Sequence, residues 1–395
     1  MAKLKKPKKT KDINLARIKI VGIGGAGGNA VTRMAEDFPR GVESAVINTD
    51  VQDLNCCIAR KKIYIGKNLT KGLGTGMNPD LGRQAAEENQ AEIAEVLSGA
   101  DMVFLTAGFG GGTGTGALPV VAEIAKDLGI LTVAVVTKPF GFEGFERKRV
   151  ADEGIARVKD KVDTLITIPN ERIFSIINKN TSLTKAFEAV DEILKNSVMG
   201  VADLIANTGI VNVDFADVKA IIQNAGSSVI GIGKSTGVER ASTAAHMAIN
   251  SPLLEISIDG AKRILFSVSG HRDLKMGEVN DVARMIAEHA NSSAKIIFGA
   301  HHDRRLKKGE LKVTLIAADF NGDMLKDTKN GILPNLFIAD EILETAKEKI
   351  EKPFFSETKD IKDVKKREKS EKKEEKSDNW DDAYEIPAFL RRKKR

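Results

Sequence analysis

From Ala16 to about Thr167 the chain alternates short apolar runs with stretches of helical spacing: RIKIVGIG, GNAVTRMAEDF, SAVINTD, KIYIG, PDLGRQAAEENQAEIAEVL, DMVFLTAG, ALPVVAEIAKDLG, LTVAVVTK and DTLITIP. Continuous apolar strands separated by helices are the pattern of parallel βα units, whose sheet is covered on both faces. The expected fold class is α/β: a doubly wound, mainly parallel sheet with ligand loops at the carboxyl ends of its strands. A long central helix is expected next. Between Leu183 and about Ala206, the residues Leu183, Ala186, Phe187, Val190, Ile193, Leu194, Val198, Val201, Leu204 and Ile205 recur at intervals of three and four, and such a helix would be a rod of roughly 36 Å. Beyond it SSVIGIG, RILFSVSG, EVNDVARMIAEHA, AKIIFGA and LKVTLIAADF make a second, smaller α+β domain ending near Phe320.

Composition narrows the class further. No apolar run reaches the roughly 18 residues of a membrane span, and MAKLKKPKKTKD lacks the apolar segment of a secretory signal, so the expected compartment is the cytoplasm. Cys56 and Cys57 are the two cysteines. Adjacent and without partners, they offer neither a disulfide framework nor zinc-ligand spacing and read as small buried apolar residues. The net charge of +6 belongs to the ends: residues 1–12 and 391–395 each carry +5, which leaves residues 13–390 at −4. A polyanion-binding core is therefore not supported.

Three glycine-rich loops follow strand-like runs: GIGGAGGNA, KGLGTGMN and GFGGGTGTG. The first fits GxGxxG, and Asp50 lies near the acidic position of a dinucleotide fold, which taken alone favours an NAD(P)-dependent oxidoreductase. A dinucleotide's pyrophosphate needs one glycine turn. Three loops on one rim suit a longer triphosphate held by backbone N–H groups at helix N-termini. GGGTGTGA has no Walker lysine, and GKST at 233–236 is no Walker loop either, because Ser228 stands where the first glycine is required.

At these residues the sequence resembles the family of the bacterial cell-division GTPase FtsZ, relatives of tubulin, whose signature loop is GGGTGTG. The likeness runs from about Arg17 to Phe320 through GIGGAGGNAV, NTD, GTGMNP, KPFGFEG, IPN and NVDFADV, and resumes in YEIPAFLR. It implies a GTPase that binds GTP and GDP with Mg²⁺ on the phosphates. The nucleotide contacts it implies are Gly24, Gly25, Gly27, Gly28, Asn29 and Asp50; Gly74, Thr75 and Gly76; and Gly110, Gly111, Gly112, Thr113, Gly114, Thr115 and Gly116. Glu143 and Arg147 match positions for ribose and phosphate, and Asn170, Phe187 and Asp191 match the guanine end.

Each has a plainer reading. Phe187 fits the apolar stripe of a buried helix, Asn29 a helix cap, Asn170 a turn, and Glu143 with Arg147 a surface ion pair worth about 0.3–0.5 kcal/mol. A carboxylate at Asp191 can accept from guanine N1–H and the 2-amino group, which adenine does not offer together. For hydrolysis the resemblance points to Asn212, Asp214 and Asp217. Locally Asp214 reads as an N-cap and Asp217 as the N3 residue of a capping box. The central helix would hold these acids away from the phosphates of their own molecule, and the resemblance implies head-to-tail stacking in which they complete the neighbour's site. A third reading, a GTP-binding regulator that never polymerises, stays open.

The implied layout is a basic tail (1–12), a GTP-binding domain (13–182), the central helix (183–209), an activation domain (210–320), an extension of the folded core (321–355), a flexible, disordered charged linker (356–379) and a partner-binding peptide (380–395). In that peptide Tyr384, Ile386, Phe389 and Leu390 are apolar anchors and Pro387 can begin a short helix. The resemblance implies that it docks membrane-tethering and regulatory division proteins, placing the protein in a mid-cell ring at the inner face of the membrane. HHD at 301–303 reads as an exposed hairpin turn, so no metal site is assigned there.

Overall fold

Both faces of the sheet are dry because its strands divide their side chains between two cores. The computed structural model describes residues 16–320 apart from 40, 176, 178–180, 207, 208, 253, 255 and 304. The expected basic tail, core extension, linker and terminal peptide, with Tyr384, Ile386, Pro387, Phe389 and Leu390, lie outside the described residues. The first half runs β1 (Ile18–Ile23), α1 (Gly24–Met34), β2 (Val42–Asn48), α2 (Val51–Cys56), β3 (Lys61–Tyr64), α3 (Lys67–Thr70), α4 (Pro79–Glu88), α5 (Gln90–Leu97), β4 (Met102–Gly108), α6 (Thr113–Asp127), β5 (Leu131–Lys138), α7 (Phe145–Val158) and β6 (Thr164–Pro169). Then come α8 (Leu183–Ala206), α9 (Phe215–Ile222), β7 (Gly226–Thr236), α10 (Arg240–Ile249), β8 (Arg263–Gly270), α11 (Met276–His289), β9 (Lys295–His302) and β10 (Glu310–Ala318).

In β1 the residues Ile18 and Ile20 join a core with α1 and α8, whereas Val21 and Ile23 join another with α4, α5, α6 and α7. In β4 Met102 and Phe104 take the first side and Val103 and Leu105 the second. This period-two division explains why the strands read as unbroken apolar runs.

Ten strands form one sheet in the order β3-β2-β1-β4-β5-β6-β7-β10-β8-β9. Pairing is parallel from β3 through β7, antiparallel on both sides of β10, and parallel again between β8 and β9. The strands of the second half thus continue the sheet of the first. The junction is narrow: Thr164 with Gly226, Leu165 with Ser227 and Ile166 with Ser228. A third core, under α10 and α11, covers the far end. Helix α8 packs against α1 and β5 and also against β7, β8, β9 and β10, so one rod touches both halves. No helix among the described residues is long and apolar enough to cross a membrane.

Several local expectations change. The helix expected over 79–97 is two helices, because Asn89 leaves helical geometry (φ −113°, ψ 26°) and its Oδ1 accepts from the Gly66 N–H at 2.9 Å. Helix α6 starts inside the glycine run, at Thr113. Of the two cysteines only Cys57 is buried, and Cys56 is exposed. HHD is not an exposed turn. His301 lies within β9, registered against Ser269 of β8, and is 5% exposed.

Candidate functional site

A cavity of about 360 Å³ opens at the carboxyl ends of β1, β4 and β5. Two helices begin at its wall with no side chain on their terminal N–H groups: α1 after Ile23 and α6 after Gly112. Uncapped N–H groups at two helix N-termini, with the positive ends of both dipoles, make a receptor for an anion. Thr75 and Thr113 line the same cavity with their Oγ1 atoms 3.1 Å apart, and Thr113 Oγ1 also lies 2.6 Å from Thr49 Oγ1.

The glycines divide between the cavity and the chain's own packing. A Cβ at Gly111 would meet nothing within 4 Å, so this glycine borders open space. At Gly112 a Cβ would stand 2.2 Å from Thr75 Oγ1, at Gly116 1.9 Å from the Pro79 carbonyl oxygen, and at Gly27 2.4 Å from the Thr106 carbonyl oxygen. These positions are glycine because another backbone or loop already lies there.

The cavity brings together Gly24, Gly25, Thr75, Gly111, Gly112, Thr113, Gly114, Glu143, Arg147, Asn170, Phe187 and Asp191. Gly27, Gly28, Asn29, Asp50, Gly74, Gly76, Gly110, Thr115 and Gly116 do not line it. Their local tasks are visible in several cases. Gly28 leaves room for Cys57 Sγ, Asp50 caps α2 by accepting from the Gln52 and Asp53 N–H groups, and Thr115 Oγ1 accepts from the Gly110 N–H at 3.0 Å.

At the other end Phe187 is 40% exposed, its ring set edge-on to Phe140 at 5.5 Å, so it is not a core side chain. Asp191, one turn on, is largely buried and accepts from Arg33 Nε at 2.7 Å. Burial pushes its pKa up to about 6 against the pull of the Arg33 guanidinium. Asn170 Oδ1 is buried in the cavity wall without a hydrogen-bond partner, an acceptor left for a ligand's N–H or O–H. Glu143 accepts from Arg147 Nη1 at 2.8 Å and from the Phe140 N–H at 2.9 Å, so the expected ion pair is made, between two residues that both line the cavity.

Sequence reasoning missed Gly108, Phe109, Thr137, Pro139, Val190 and Leu194 in the lining. The rule that ligand loops follow strand ends covers Thr137 and Pro139, at the end of β5. Arg33 has no local signal: α1 and α8 are brought side by side only by the fold.

Asn212, Asp214 and Asp217 are exposed and do not line this cavity. Asp214 occupies the N-cap position of α9, but its side chain accepts no capping bond. The expected capping role therefore leaves that carboxylate uncommitted. The segment is pinned to β9, where Ile210 and Val211 donate to the Ala300 carbonyl at 2.7 and 3.0 Å and Ala300 N–H donates to Val211 at 3.1 Å. Asn212 Oδ1 accepts from the Gly209 N–H at 2.6 Å.

The pattern of the tubulin/FtsZ family GTPase domain matches residues 17–178, and that of the FtsZ family C-terminal domain matches residues 226–321. A solved FtsZ dimer from M. jannaschii is 47% identical, with a TM-score of 0.75, covering 79% of this chain and 89% of its own. The chain belongs to the tubulin/FtsZ family. It is an FtsZ-type GTPase, and its cavity is lined by the GTPase domain together with Phe187, Val190, Asp191 and Leu194 of α8. The oxidoreductase reading of GIGGAG and Asp50 finds no support in these matches. Two Haloferax volcanii proteins at 20% identity share the tubulin/FtsZ fold: CetZ1, solved as a GDP-bound monomer (TM-score 0.69; 80% of this chain, 98% of that one), and CetZ2, solved as a GTPγS-bound protofilament (0.67; 84% and 99%).

Proposed function

We propose that this chain assembles head to tail into protofilaments and hydrolyses GTP at each junction, with the nucleotide in the cavity of one subunit and the acids supplied by the next. The observation that carries this is the distance between the two parts of the site. Asp191 lines the cavity early in α8, whereas Asn212, Asp214 and Asp217 follow its end. The fifteen residues from Asp191 to Ala206 alone rise about 22 Å along the helix. Exposed, uncapped acids that far from the phosphates act on another molecule's nucleotide. The M. jannaschii dimer and the CetZ2 protofilament support the same arrangement.

In this reading the N-termini of α1 and α6, with Gly24, Gly25 and Gly111 to Gly114, hold the phosphates. Phe187 stacks on guanine, and the Asp191 carboxylate accepts from N1–H and the 2-amino group. Asn170 accepts a further bond, Glu143 takes the ribose and Arg147 a phosphate. The carboxylates lining the cavity, Glu143 and Asp191, are both paired with arginines. Mg²⁺ thus fits as part of the incoming nucleotide, held by phosphate oxygens and water, where it offsets charge. Asp214 and Asp217 orient a water, with Asn212 beside them. Its oxygen bonds to the γ-phosphorus as the bridging bond to the β-phosphate breaks, and its proton passes to a carboxylate or to the released phosphate.

A contact between different faces does not close on itself and grows as a filament. The division ring at the inner face of the membrane, and the docking of residues 380–395 to tethering and regulatory proteins, extend the proposal from the family. GTPase rate against protein concentration, paired with sedimentation, tests it. Turnover per molecule should rise steeply with concentration, and Asp214→Ala should bind GTP normally, sediment with it, and hydrolyse it at least tenfold more slowly. Full-rate hydrolysis by monomeric protein overturns the reading.

A further inference from the structure

Away from the nucleotide, the HHD segment lies at the junction of α8 with the second half of the sheet. A ring nitrogen of His301 and one carboxylate oxygen from each of Asp203 and Asp303 lie within 4.8 Å of one another. All three side chains are buried or nearly so. Asp203 comes from α8, His301 from β9, and Asp303 directly follows β9, so the fold converges residues a hundred positions apart.

The histidine is the informative member. Its Nε2 is 3.1 Å from Ser269 Oγ, whereas Nδ1 is buried and has no hydrogen-bond partner. If Nε2–H donates to the serine oxygen, Nδ1 is left as a bare, buried lone pair free to ligate. A hydroxyl holding the far nitrogen is the arrangement that orients a metal-bound imidazole.

Lys312 stands near the cluster, but Arg305 is the cation bonded to its carboxylates. Its Nη2 donates to Asp203 Oδ2 at 2.5 Å and to Asp303 Oδ2 at 2.9 Å, and its Nε to Asp303 Oδ1 at 2.8 Å. None of its bonds reaches His301 Nδ1, which the guanidinium leaves unsatisfied. Arg305 is also long and 40% exposed, and it lines a cleft of about 440 Å³ together with Asp303 and Lys312, so it can withdraw into that space without opening the core.

We propose that Asp203, His301 and Asp303 are a site for a divalent transition-metal ion, with Arg305 as the internal cation that competes for it. One imidazole and two carboxylates favour ions of the Zn²⁺ or Co²⁺ kind over Mg²⁺ and Ca²⁺, which take all-oxygen sets. Bonds of about 2.1 Å set at tetrahedral angles put ligand atoms about 3.4 Å apart. The three ligand atoms must therefore close on one another by up to about 1.4 Å, a movement that withdrawal of Arg305 frees the carboxylates to make.

Competition gives the proposal a signature that surface histidines do not share. Zn²⁺ is titrated calorimetrically into the full-length chain without added nucleotide, and Co²⁺ binding is followed by its visible absorption. One strong equivalent is expected in the wild type. Arg305→Ala should bind at least tenfold more tightly, Ser269→Ala about tenfold more weakly, and His301→Gln and Asp303→Asn should lose the strong equivalent. His302→Ala, altering the exposed neighbour, should change nothing. Thermal melts of each variant establish that it is folded, and Arg305→Ala reports a gain that misfolding does not mimic. Wild-type protein with no strong equivalent, a folded His301→Gln that binds as wild type does, or Arg305→Ala that binds no more tightly, each overturns the proposal.

Discussion

Asp191 shows how a single side chain sets the working conditions of a site. In the binding mode proposed above its carboxylate is the form that accepts from guanine, and burial raises its pKa to about 6. Below that pH the ligand must bind a protein that has first lost a proton. GTP affinity is therefore expected to be level above about pH 7 and to fall towards tenfold per unit below 6. Arg33 lowers this pKa, so Arg33→Ala should move the fall to higher pH, measured by titrating a fluorescent GTP analogue across the range. Glycines give a second contrast. Gly111→Ala meets no neighbour and should leave the melting temperature unchanged while weakening nucleotide binding. Gly116→Ala, driven against the Pro79 carbonyl, should destabilise the protein by about 1–3 kcal/mol. Both are letters of the same run GGGTGTG. The sequence announces that something lies close to this backbone, but whether it is phosphate or the chain's own Pro79 depends on the packing of α4 against α6. Arg33 and His301 were equally illegible, since each owes its role to a helix or strand far away in the chain.

Among the elements, the βα units and α8 were readable because their spacing matches the side-chain periods of strand and helix. Helix α10 was not. Its sequence RASTAAHMAI is mostly small residues with a weak apolar stripe, and its place is fixed by tertiary bonds. Arg240, almost fully buried at its start, donates from Nε and Nη2 to the two oxygens of Glu278 on α11, at 2.6 and 2.9 Å, and from Nη1 to Asp273 Oδ2 at 2.8 Å. Removing the cation leaves two carboxylates facing each other with a backbone N–H apiece, from Gly309 and Lys275, and without the guanidinium's charge. Arg240→Ala is expected to cost about 3 kcal/mol in denaturant unfolding, with GTP affinity unchanged in the folded protein. The break at Asn89 belongs to the same class, because a side chain that bonds Gly66 across the loop ends a helix that local propensity would have continued.

On the scale of the molecule, α8 carries the functional argument: it separates the nucleotide from the acids by its length, while its packing on both halves keeps the two ends in register. The rise of turnover with protein concentration expected from the proposed assembly is thus a prediction about the whole chain, and no residue within the cavity carries it alone. The ten-stranded sheet holds a different lesson. β6 and β7 meet through three residue pairs, and α8 packs across the same junction, so the two halves of one sheet are joined by a short strand seam and a single helix. A gene divided in the loop before α8 would produce pieces that each bare a raw strand edge and an uncovered apolar flank. Expressed singly, each piece should be found in the insoluble fraction; produced together, they should recombine into a soluble pair, and a protein that began as one polypeptide would work as a split reporter of its own reassembly.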